Sequence, residues 1–322
     1  MSDLQLQKKT VESFQKVREN LHQVIVGMDD VMDALFWTLL CQGHALFIGV
    51  PGLAKTLLIS TLSELVGLKF NRIQFTPDMM PSDLIGSEVL EEDKATGKRV
   101  FQFRKGPLFC QMLLADEINR TPPKTQSALL QAMQERKISF AGTTHTLEAP
   151  FVVFATQNPI ESEGTYTLPE AQLDRFLFSI PIHYPNSADE LEIVKRTTSP
   201  SSQDLQPVLK ASDLMEMQKL VLRVPMDDKI SEMIVRLVRR SRPEEKQLPT
   251  ELAEVIRFGA GPRASQGIAL AAKARALLSD RFAVREEDVL AVAPYVLKHR
   301  LVLRRLRDRT EDQIVHQILQ QV

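Results

Sequence analysis

The stretch GVPGLAKT, Gly49 to Thr56, decides how this chain folds. It follows the phosphate-binding loop pattern G-x-x-x-x-G-K-[ST] except at Ala54, which stands where the pattern has its last glycine. The apolar run HALFIG before it predicts a buried strand, and KTLLISTLSELVG predicts a helix that ends at Gly67. A strand, a loop and a helix in this order are the context in which such a loop binds phosphate.

The loop offers an anion several favourable contacts. Backbone N–H groups in such a turn curl around a phosphate, and the amino end of the following helix adds about half a positive charge. Gly52 lets the backbone turn, Lys55 supplies a charge to the β- and γ-phosphates, and Thr56 offers a hydroxyl to Mg²⁺. We expect a helical conformation at Ala54, where a methyl group costs little. The alternative is an ordinary glycine turn with an exposed lysine.

An acidic pair follows a second predicted buried strand. The segment MLLADEINR runs from apolar residues into Asp116 and Glu117, and ligands bind at the carboxyl ends of strands in open α/β sheets. We expect Asp116 to orient the ligand shell of Mg²⁺, directly or through water, and Glu117 to polarise an attacking water. The alternative is that the two carboxylates only cap the next helix, which the phosphate-binding loop earlier in the chain makes a weaker interpretation.

A third predicted buried strand, FVVFATQNP, ends in two amide side chains, Gln157 and Asn158. A neutral amide beside a γ-phosphate can hold a water molecule by hydrogen bonds without adding charge. The alternative for Asn158 is a turn residue before Pro159, which is a common role for asparagine.

The order of elements predicts an α/β fold with a second, helical domain. Strands alternate with helices over 1–185, which indicates βαβ units and a parallel sheet sandwiched by helices. Within this part, 83–105 predicts two short strands around the turn DKATGK, and 138–147 predicts a hairpin turning near Gly142. The remainder, 186–322, predicts an all-helical domain. Its main predicted helices cover 211–222, 226–241, 248–257, 262–279, 285–298 and 309–321.

Composition narrows the classes of function. Forty basic and 41 acidic residues give a net charge of −1, so the chain as a whole has no attraction to nucleic acid or anionic membranes. The six histidines lack the short spacing of metal-ligand pairs, and Cys41 and Cys110 lack C-x-x-C spacing. We therefore expect no histidine metal site and two buried free thiols. The polar amino terminus is unlike a signal peptide and the most apolar stretch is interrupted, so the expected compartment is the cytoplasm.

In combination and order, these motifs resemble those of AAA+ ATPases, and more narrowly the MoxR group of the helix-2-insert clade. GVPGLAKT is similar to that group's Walker A motif, including the alanine, and LLADEINRTPPKTQSALLQAMQE to its Walker B motif and following helix. FVVFATQNPIESEGTYTLPEAQLDRF resembles its sensor 1 strand and arginine-finger segment. The resemblance covers most of 20–185. It continues more weakly through GPRAS (261–265), which is similar to sensor 2 in a helical lid domain. Segment 83–105 resembles the helix-2 insert hairpin, and 138–147 the hairpin before sensor 1.

The resemblance implies roles for matched residues. Arg175, in LDRF, matches the finger that reaches the γ-phosphate of a neighbouring subunit, and Arg263 matches the sensor 2 arginine of the lid. The implied catalytic set is Glu117, Lys55, Asn158, Arg175 and Arg263. The implied Mg²⁺ ligands are Thr56 and Asp116. The implied ATP-binding residues are Val26, Gly27, Gly49, Val50, Pro51, Gly52, Leu53, Ala54, Lys55, Thr56, Leu57 and Asp116.

The resemblance also implies an activity and partners. The activity is Mg²⁺-dependent hydrolysis of ATP by direct attack of water on the γ-phosphate. Because Arg175 would act across a subunit interface, a homo-oligomeric ring is implied, with a hexamer expected; Arg120 is a further candidate for contact across that interface. Proteins of this group typically have a von Willebrand factor A domain partner and act as chaperones on protein clients, in metal-cofactor insertion or complex maturation.

Other functions stay open from the sequence alone. A nucleic-acid motor of the same fold would use the basic run KHRLVLRRLRDR (298–309), although this run has no aromatic stacking platform and a lid helix explains it as well. A nucleotide-gated scaffold would bind ATP and hydrolyse little, which the acidic pair, Asn158 and Arg175 argue against. A small-molecule kinase has no evident use for a long helical lid.

Overall fold

The computed structural model describes residues 2–92, 99–159, 164–198, 205–245, 248–304 and 310–321. Its strands are β1 (Ala45–Ile48), β2 (Phe70–Gln74), β3 (Gly86–Glu92), β4 (Arg99–Lys105), β5 (Met112–Asp116), β6 (Lys137–Phe140), β7 (Thr143–Thr146), β8 (Val152–Gln157), β9 (Phe178–Pro181), β10 (Ile256–Phe258) and β11 (Val302–Leu303). Its helices are α1 (Asp3–Val24), α2 (Asp29–Leu40), α3 (Lys55–Leu65), α4 (Pro81–Ile85), α5 (Pro123–Glu135), α6 (Glu170–Leu173), α7 (Ser187–Thr197), α8 (Ala211–Arg223), α9 (Asp228–Arg239), α10 (Thr250–Val255), α11 (Pro262–Leu278), α12 (Glu286–Leu297) and α13 (Glu311–Leu319).

A five-stranded sheet in the order β2-β5-β8-β1-β9 forms the centre of the fold. Every pairing in it is parallel, so all five strands end at the same edge of the sheet. The three inner strands are short and apolar because helices cover both faces, as is usual for parallel sheets. The predicted α/β fold, a parallel sheet with flanking helices followed by a helical lid, is confirmed.

Alternate residues of the inner strands belong to two separate groups of buried side chains. Phe47 and Phe154 pack with residues of α1, α2, α3 and the helices from α8 onward. Leu46 and Val153, their neighbours along the chain, pack with residues of α5 on the other face. This alternation is the period of two that a strand imposes, and it fixes which way each strand end presents its polar residues.

Helices α8 and α11 pack directly against α1 and α2. Gln218 Nε2 donates to the backbone carbonyl of Leu39 at 2.8 Å, and Arg223 donates two hydrogen bonds to Asp3 at 3.0 Å. One continuous group of buried residues therefore extends across residue 185. The division into 1–185 and 186–322 stays a prediction.

Two antiparallel hairpins interrupt the α/β part at the predicted places. The first pairs β3 with β4, and its predicted turn, DKATGK (93–98), lies outside the described residues. The second pairs β6 with β7 and turns at Ala141 and Gly142, which both have positive φ. The hairpins touch through Phe103, whose ring stacks on Phe140 at 5.1 Å and on His145 at 4.6 Å between centroids.

A short antiparallel pair, β10 with β11, corrects the expectation that the second half contains only helices. The prediction of a continuous helix over 248–257 is wrong at its end, because α10 stops at Val255 and the chain continues as a strand. The reason is that Ile256 and Phe258, a β-branched and an aromatic residue, suit extended backbone. Their pairing partner lies far along the chain, where a local pattern does not show it.

The two cysteines and His44 are buried. Cys41 and Cys110 are buried and free, as expected, and burial raises the pKa of the Cys110 thiol to about 12. Burial lowers the pKa of His44 to about 4, and its Nδ1 accepts a hydrogen bond from the backbone N–H of Val153 at 3.0 Å.

Among the described residues, no group of three or more His, Cys, Asp or Glu side chains could hold a metal. No helix in this part of the chain is long and apolar enough to cross a membrane.

Candidate functional site

The loop between β1 and α3 has the backbone geometry of an anion cradle. Gly52 has φ +83° and Ala54 has φ +49°, while neither Leu53 nor Lys55 has a positive φ. Such alternation turns successive N–H groups toward one concavity, the arrangement called a nest. A Cβ built on Gly52 would meet no atom within 4 Å. The space beside the loop is therefore open to a ligand.

Ala54 corrects our expectation of an ordinary helical conformation at the substituted position. Its φ of 49° and ψ of 17° are left-handed, the conformation that favours glycine. This conformation costs an L-residue roughly 1–2 kcal/mol, and alanine, with no atom beyond Cβ, carries less steric burden than larger side chains. The cradle thus keeps the backbone of the usual pattern although it lacks the last glycine.

Lys55 folds back over the cradle. Its ammonium donates to the carbonyl of Gly49 at 2.8 Å and to that of Val50 at 3.0 Å, and the residue is 9% exposed. Burial lowers the pKa of Lys55, whereas the nearby carboxylates of Asp116 and Glu117 oppose that shift. The positive charge is therefore held at the loop and faces the two acids.

Asp116 is fixed from both neighbouring strands. Thr156, on β8, donates its hydroxyl to Oδ1 of Asp116 at 2.6 Å, and Arg72, on β2, donates to Oδ2 at 2.8 Å. The carboxylate of Asp116 and the hydroxyl of Thr56 line the same cleft. Both are hard oxygen donors of the kind that Mg²⁺ prefers, and Mg²⁺ commonly takes only one or two protein ligands besides substrate phosphates. The donor set therefore fits this metal.

Glu117 is positioned through its backbone and its side chain. Its N–H donates to the hydroxyl of Thr156 at 2.8 Å, and its φ is +57°. Its Oε2 accepts hydrogen bonds from Gln74 at 2.8 Å and from Arg120 at 2.9 Å. The side chain caps neither the 3-10 turn that follows it nor α5. For Glu117, the helix-cap alternative is therefore wrong, and its carboxylate points into the cleft instead.

A cleft of about 430 Å³ at the carboxyl edge of the sheet brings together five of the predicted site residues besides the loop backbone. They are Lys55, Thr56, Asp116, Glu117 and Asn158. A neighbouring cleft of about 880 Å³ shares Gly52, Leu53, Ala54 and Leu57 with the first and is also lined by Val26 and Gly27. The two clefts together offer a polar part for phosphates and a larger part for a nucleoside. Pro51 lines the first cleft, whereas Gly49 and Val50 line neither and instead accept the hydrogen bonds of Lys55.

Arg175 and Arg263 lie together, but at the opposite edge of the sheet. Both line a cavity of about 250 Å³ with His44, which immediately precedes β1. The phosphate cradle follows β1, and a strand of four residues spans about 13 Å. Arg263 donates to Asp174 at 3.3 Å. Neither arginine lines the clefts of its own chain.

Three residues that hold the acids were missed from the sequence: Arg72, Gln74 and Thr156. Arg72 and Gln74 stand two apart on β2, so they share a face of that strand, and each holds one of the two carboxylates. The alternating pattern of FNRIQF predicts the strand β2, but it does not show which strand lies beside it. Only the sheet order, with β5 between β2 and β8, assigns them to the site.

Thr156→Val is expected to lower the turnover of ATP, the substrate expected from the sequence, or the affinity for Mg²⁺ by about 10–100-fold. This is the usual effect of losing a group that orients a metal ligand. Valine keeps the shape, but it leaves the Glu117 N–H and the Asp116 carboxylate without the hydroxyl that they share. The measurement is turnover across a Mg²⁺ titration. Thr156→Ser, which keeps the hydroxyl, is the matched control. Unchanged turnover and Mg²⁺ dependence in the valine variant would show that the hydroxyl has no such role.

Two parts of the chain match sequence models of known families. Residues 44–178 match the ATPase family associated with various cellular activities (AAA), and residues 249–318 match the AAA lid domain. The first range contains the cradle, the acidic pair and Arg175, and the second contains Arg263.

Similar proteins extend the match over nearly the whole chain. The chain is 42% identical over 317 residues to the chaperone MoxR1 of Mycobacterium tuberculosis, which covers 97% of this chain and 82% of that protein. It is 42% identical over 289 residues to the uncharacterised protein YeaC of Bacillus subtilis, covering 89% of this chain and 86% of that one. A crystal structure of a presumed ATPase from Cytophaga hutchinsonii has a TM-score of 0.91 at 38% identity, covering 99% and 96% of the two chains.

Proposed function

Because the chain belongs to the MoxR group of AAA+ ATPases, we propose that it hydrolyses ATP by direct attack of water on the γ-phosphate. The observation that carries this proposal is the meeting of the cradle, Asp116, Glu117 and Asn158 at one cleft. Three strand ends supply these groups, and each has a chemical use in phosphoryl transfer. Hydrolysis needs no covalent intermediate, because positioning and neutralisation of charge supply most of the rate.

The residues of the cleft have separate roles in this reaction. The cradle amides and Lys55 hold the β- and γ-phosphates. Glu117, kept in place by Gln74 and Arg120, accepts a hydrogen bond from the attacking water and polarises it. The Asn158 amide orients that water. Thr56 and Asp116 would hold Mg²⁺, which when bound neutralises charge on the β- and γ-phosphate oxygens.

We also propose that Arg175 and Arg263 act on the ATP of a neighbouring subunit in a homo-oligomeric ring, with a hexamer as the expected number. Both lie at the amino edge of the sheet, away from the cradle of their own chain. A single subunit then has the water-activating groups without the arginines. For Arg263, this placement favours a role beside Arg175 across the interface over a role at its own subunit's nucleotide.

The biological role that we propose is that of a chaperone-like remodeller of protein complexes in the cytoplasm, with a von Willebrand factor A domain protein as partner. The relative in Mycobacterium tuberculosis is named a chaperone, which supports the first part. We assign the nucleotide-binding domain to 1–185 and the lid domain to 186–322. The two family matches, 44–178 and 249–318, fall on either side of this boundary and support it.

Two basic residues of the run at 298–309, Lys298 and Arg300, argue against a nucleic-acid motor. The side chain of Arg300 is 4% exposed and donates to Asp174, and Lys298 pairs with Asp312 at 2.7 Å. Residues 305–309 lie outside the described residues. The charges that the structure describes at Lys298 and Arg300 are thus engaged within the chain rather than presented to a phosphate backbone.

The test of the proposed function is turnover per subunit across a range of protein concentrations, with assembly followed by sedimentation. Turnover is expected to rise as rings form, because each site needs the arginines of a neighbour. Tight Mg²⁺–ATP binding with negligible turnover in assembled rings would favour the scaffold alternative. Stimulation by DNA would favour the motor. Failure of calorimetry to detect adenine nucleotide binding by folded protein would reject the proposal altogether.

A further inference from the structure

Arg300 ends the 3-10 turn Lys298–Arg300, which follows α12 in the helical region. Its side chain is 4% exposed. Its Nε donates to Oδ1 of Asp174 at 2.8 Å, and Asp174 immediately precedes Arg175. A residue of the helical region therefore contacts the segment that carries the proposed finger, 126 positions earlier in the chain.

The remaining donors of Arg300 hold the backbone on both sides of Arg175. One terminal nitrogen donates to the carbonyl of Leu177 at 3.1 Å, and the other donates to those of Phe176 at 2.7 Å and Asp174 at 3.3 Å. A further bond goes to the carbonyl of Val296 at 2.6 Å, near the end of α12. An arginine has five N–H donors in a rigid fork. Four of the five bonds reach the segment 174–177.

Neighbouring groups of the helical region reinforce this contact. His299 is buried, and its Nε2 donates to the carbonyl of Phe176 at 3.0 Å. Arg263 donates a hydrogen bond to the second carboxylate oxygen of Asp174 at 3.3 Å. Burial lowers the pKa of Arg300, which the Asp174 carboxylate opposes. A buried ion pair often adds little net stability compared with apolar residues of the same volume. What a rigid fork adds at such a place is a fixed geometry.

We propose that Arg300 is a positioning residue that sets the Arg175 side chain from the helical lid, so that the lid of one subunit determines the arginine presented to the next. This inference rests on the proposed function of Arg175. Arg300 touches no nucleotide; it acts through the backbone of 174–177. Movement of α12 would move the finger segment with it.

Arg300→Lys is expected to leave folding, ring assembly and ATP affinity unchanged and to lower turnover by about 100-fold, because a misplacement of about 1 Å at a reacting centre has that effect. Lysine keeps the charge but has three donors on a flexible stem, so it cannot hold the four acceptors together. Asp174→Asn, which removes the charge partner, is expected to behave alike and serves if the lysine variant folds poorly. Arg281→Lys is the matched control, because Arg281 is also a partly buried lid arginine held by an aspartate, Asp288.

A mixing experiment separates positioning of the finger from damage to the subunit's own site. A Glu117→Gln subunit has an inactive site and an intact finger, so in mixed rings it is expected to raise the turnover of Arg300→Lys at least about tenfold, given the size of a finger effect. The double variant that carries both Arg175→Ala and Arg300→Lys is expected to turn over ATP no more slowly than Arg175→Ala alone, because Arg300 has no finger to position once Arg175 is removed.

The outcomes distinguish this inference from the proposal on which it rests. If Arg175→Ala fails to recover in mixed rings, the finger assignment fails and takes the inference with it. If Arg175→Ala recovers but Arg300→Lys does not, Arg300 acts within its own subunit and the inference is overturned. Wild-type turnover in Arg300→Lys would overturn it equally.

Discussion

Glu117→Gln is expected to lower ATP turnover by about 10²–10⁴-fold while the protein still binds ATP. The reason is that a neutral amide is too weak a base to polarise the attacking water. Glutamine has the shape of glutamate, and it keeps an oxygen that can accept from Gln74 or Arg120. The cradle and Asp116 are untouched, so the phosphates and Mg²⁺ should bind as before. Turnover and calorimetry on the same preparation give the two quantities.

The matched control is Glu135→Gln, at the exposed end of α5 and outside the cleft. It removes one carboxylate from the chain and is expected to leave turnover unchanged, which excludes an effect of net charge. If Glu117→Gln turned over ATP at the wild-type rate, Glu117 would not be the water activator. Loss of ATP binding in the same variant would instead indicate that the carboxylate mainly organises the cleft.

Local patterns were sufficient for the parts of the site that follow strand ends. The glycines and Lys55 after one apolar run, Asp116 after another and Asn158 after a third meet at one edge, because parallel strands all end there. This follows from periodicity and turn chemistry without any knowledge of strand order. The same signals predicted both hairpins, since each is a short alternating pair.

Contacts between distant parts of the chain were beyond those patterns. The hydroxyl of Thr156 joins Glu117 and Asp116 only because β8 lies beside β5, and Gln74 reaches Glu117 from the other side for the same reason. The pairing of β10 with β11 is equally non-local. The left-handed Ala54 is a different case: a local sequence rule for alanine favours a right-handed helix, and the requirement of the cradle overrides it.

Arg175→Ala is expected to lower turnover in assembled rings by about 10³–10⁵-fold, the effect of an arginine finger on phosphoryl transfer. ATP binding should persist, because Arg175 lines the cavity at the amino edge and not the clefts of its own chain. The alanine variant also keeps Arg263, Arg300 and Asp174, so the cavity retains its other charges. The measurement is turnover at concentrations where sedimentation shows complete assembly.

The test of action across the interface is recovery of activity when two inactive variants are mixed. Arg175→Ala subunits have an intact cradle and acids but no finger, whereas Glu117→Gln subunits have a finger but no water activator. In a mixed ring, a Glu117→Gln subunit can present Arg175 to the intact site of its neighbour, so turnover should exceed that of either variant alone. Glu117→Gln subunits that lack Arg175 as well are the control, because they assemble without a finger and should restore nothing. No recovery in rings shown to contain both variants would contradict the assignment of Arg175 as a finger that acts across the interface. We expect recovery because Arg175 lies beside the start of β1, whereas the cradle of its own chain follows the end of that strand.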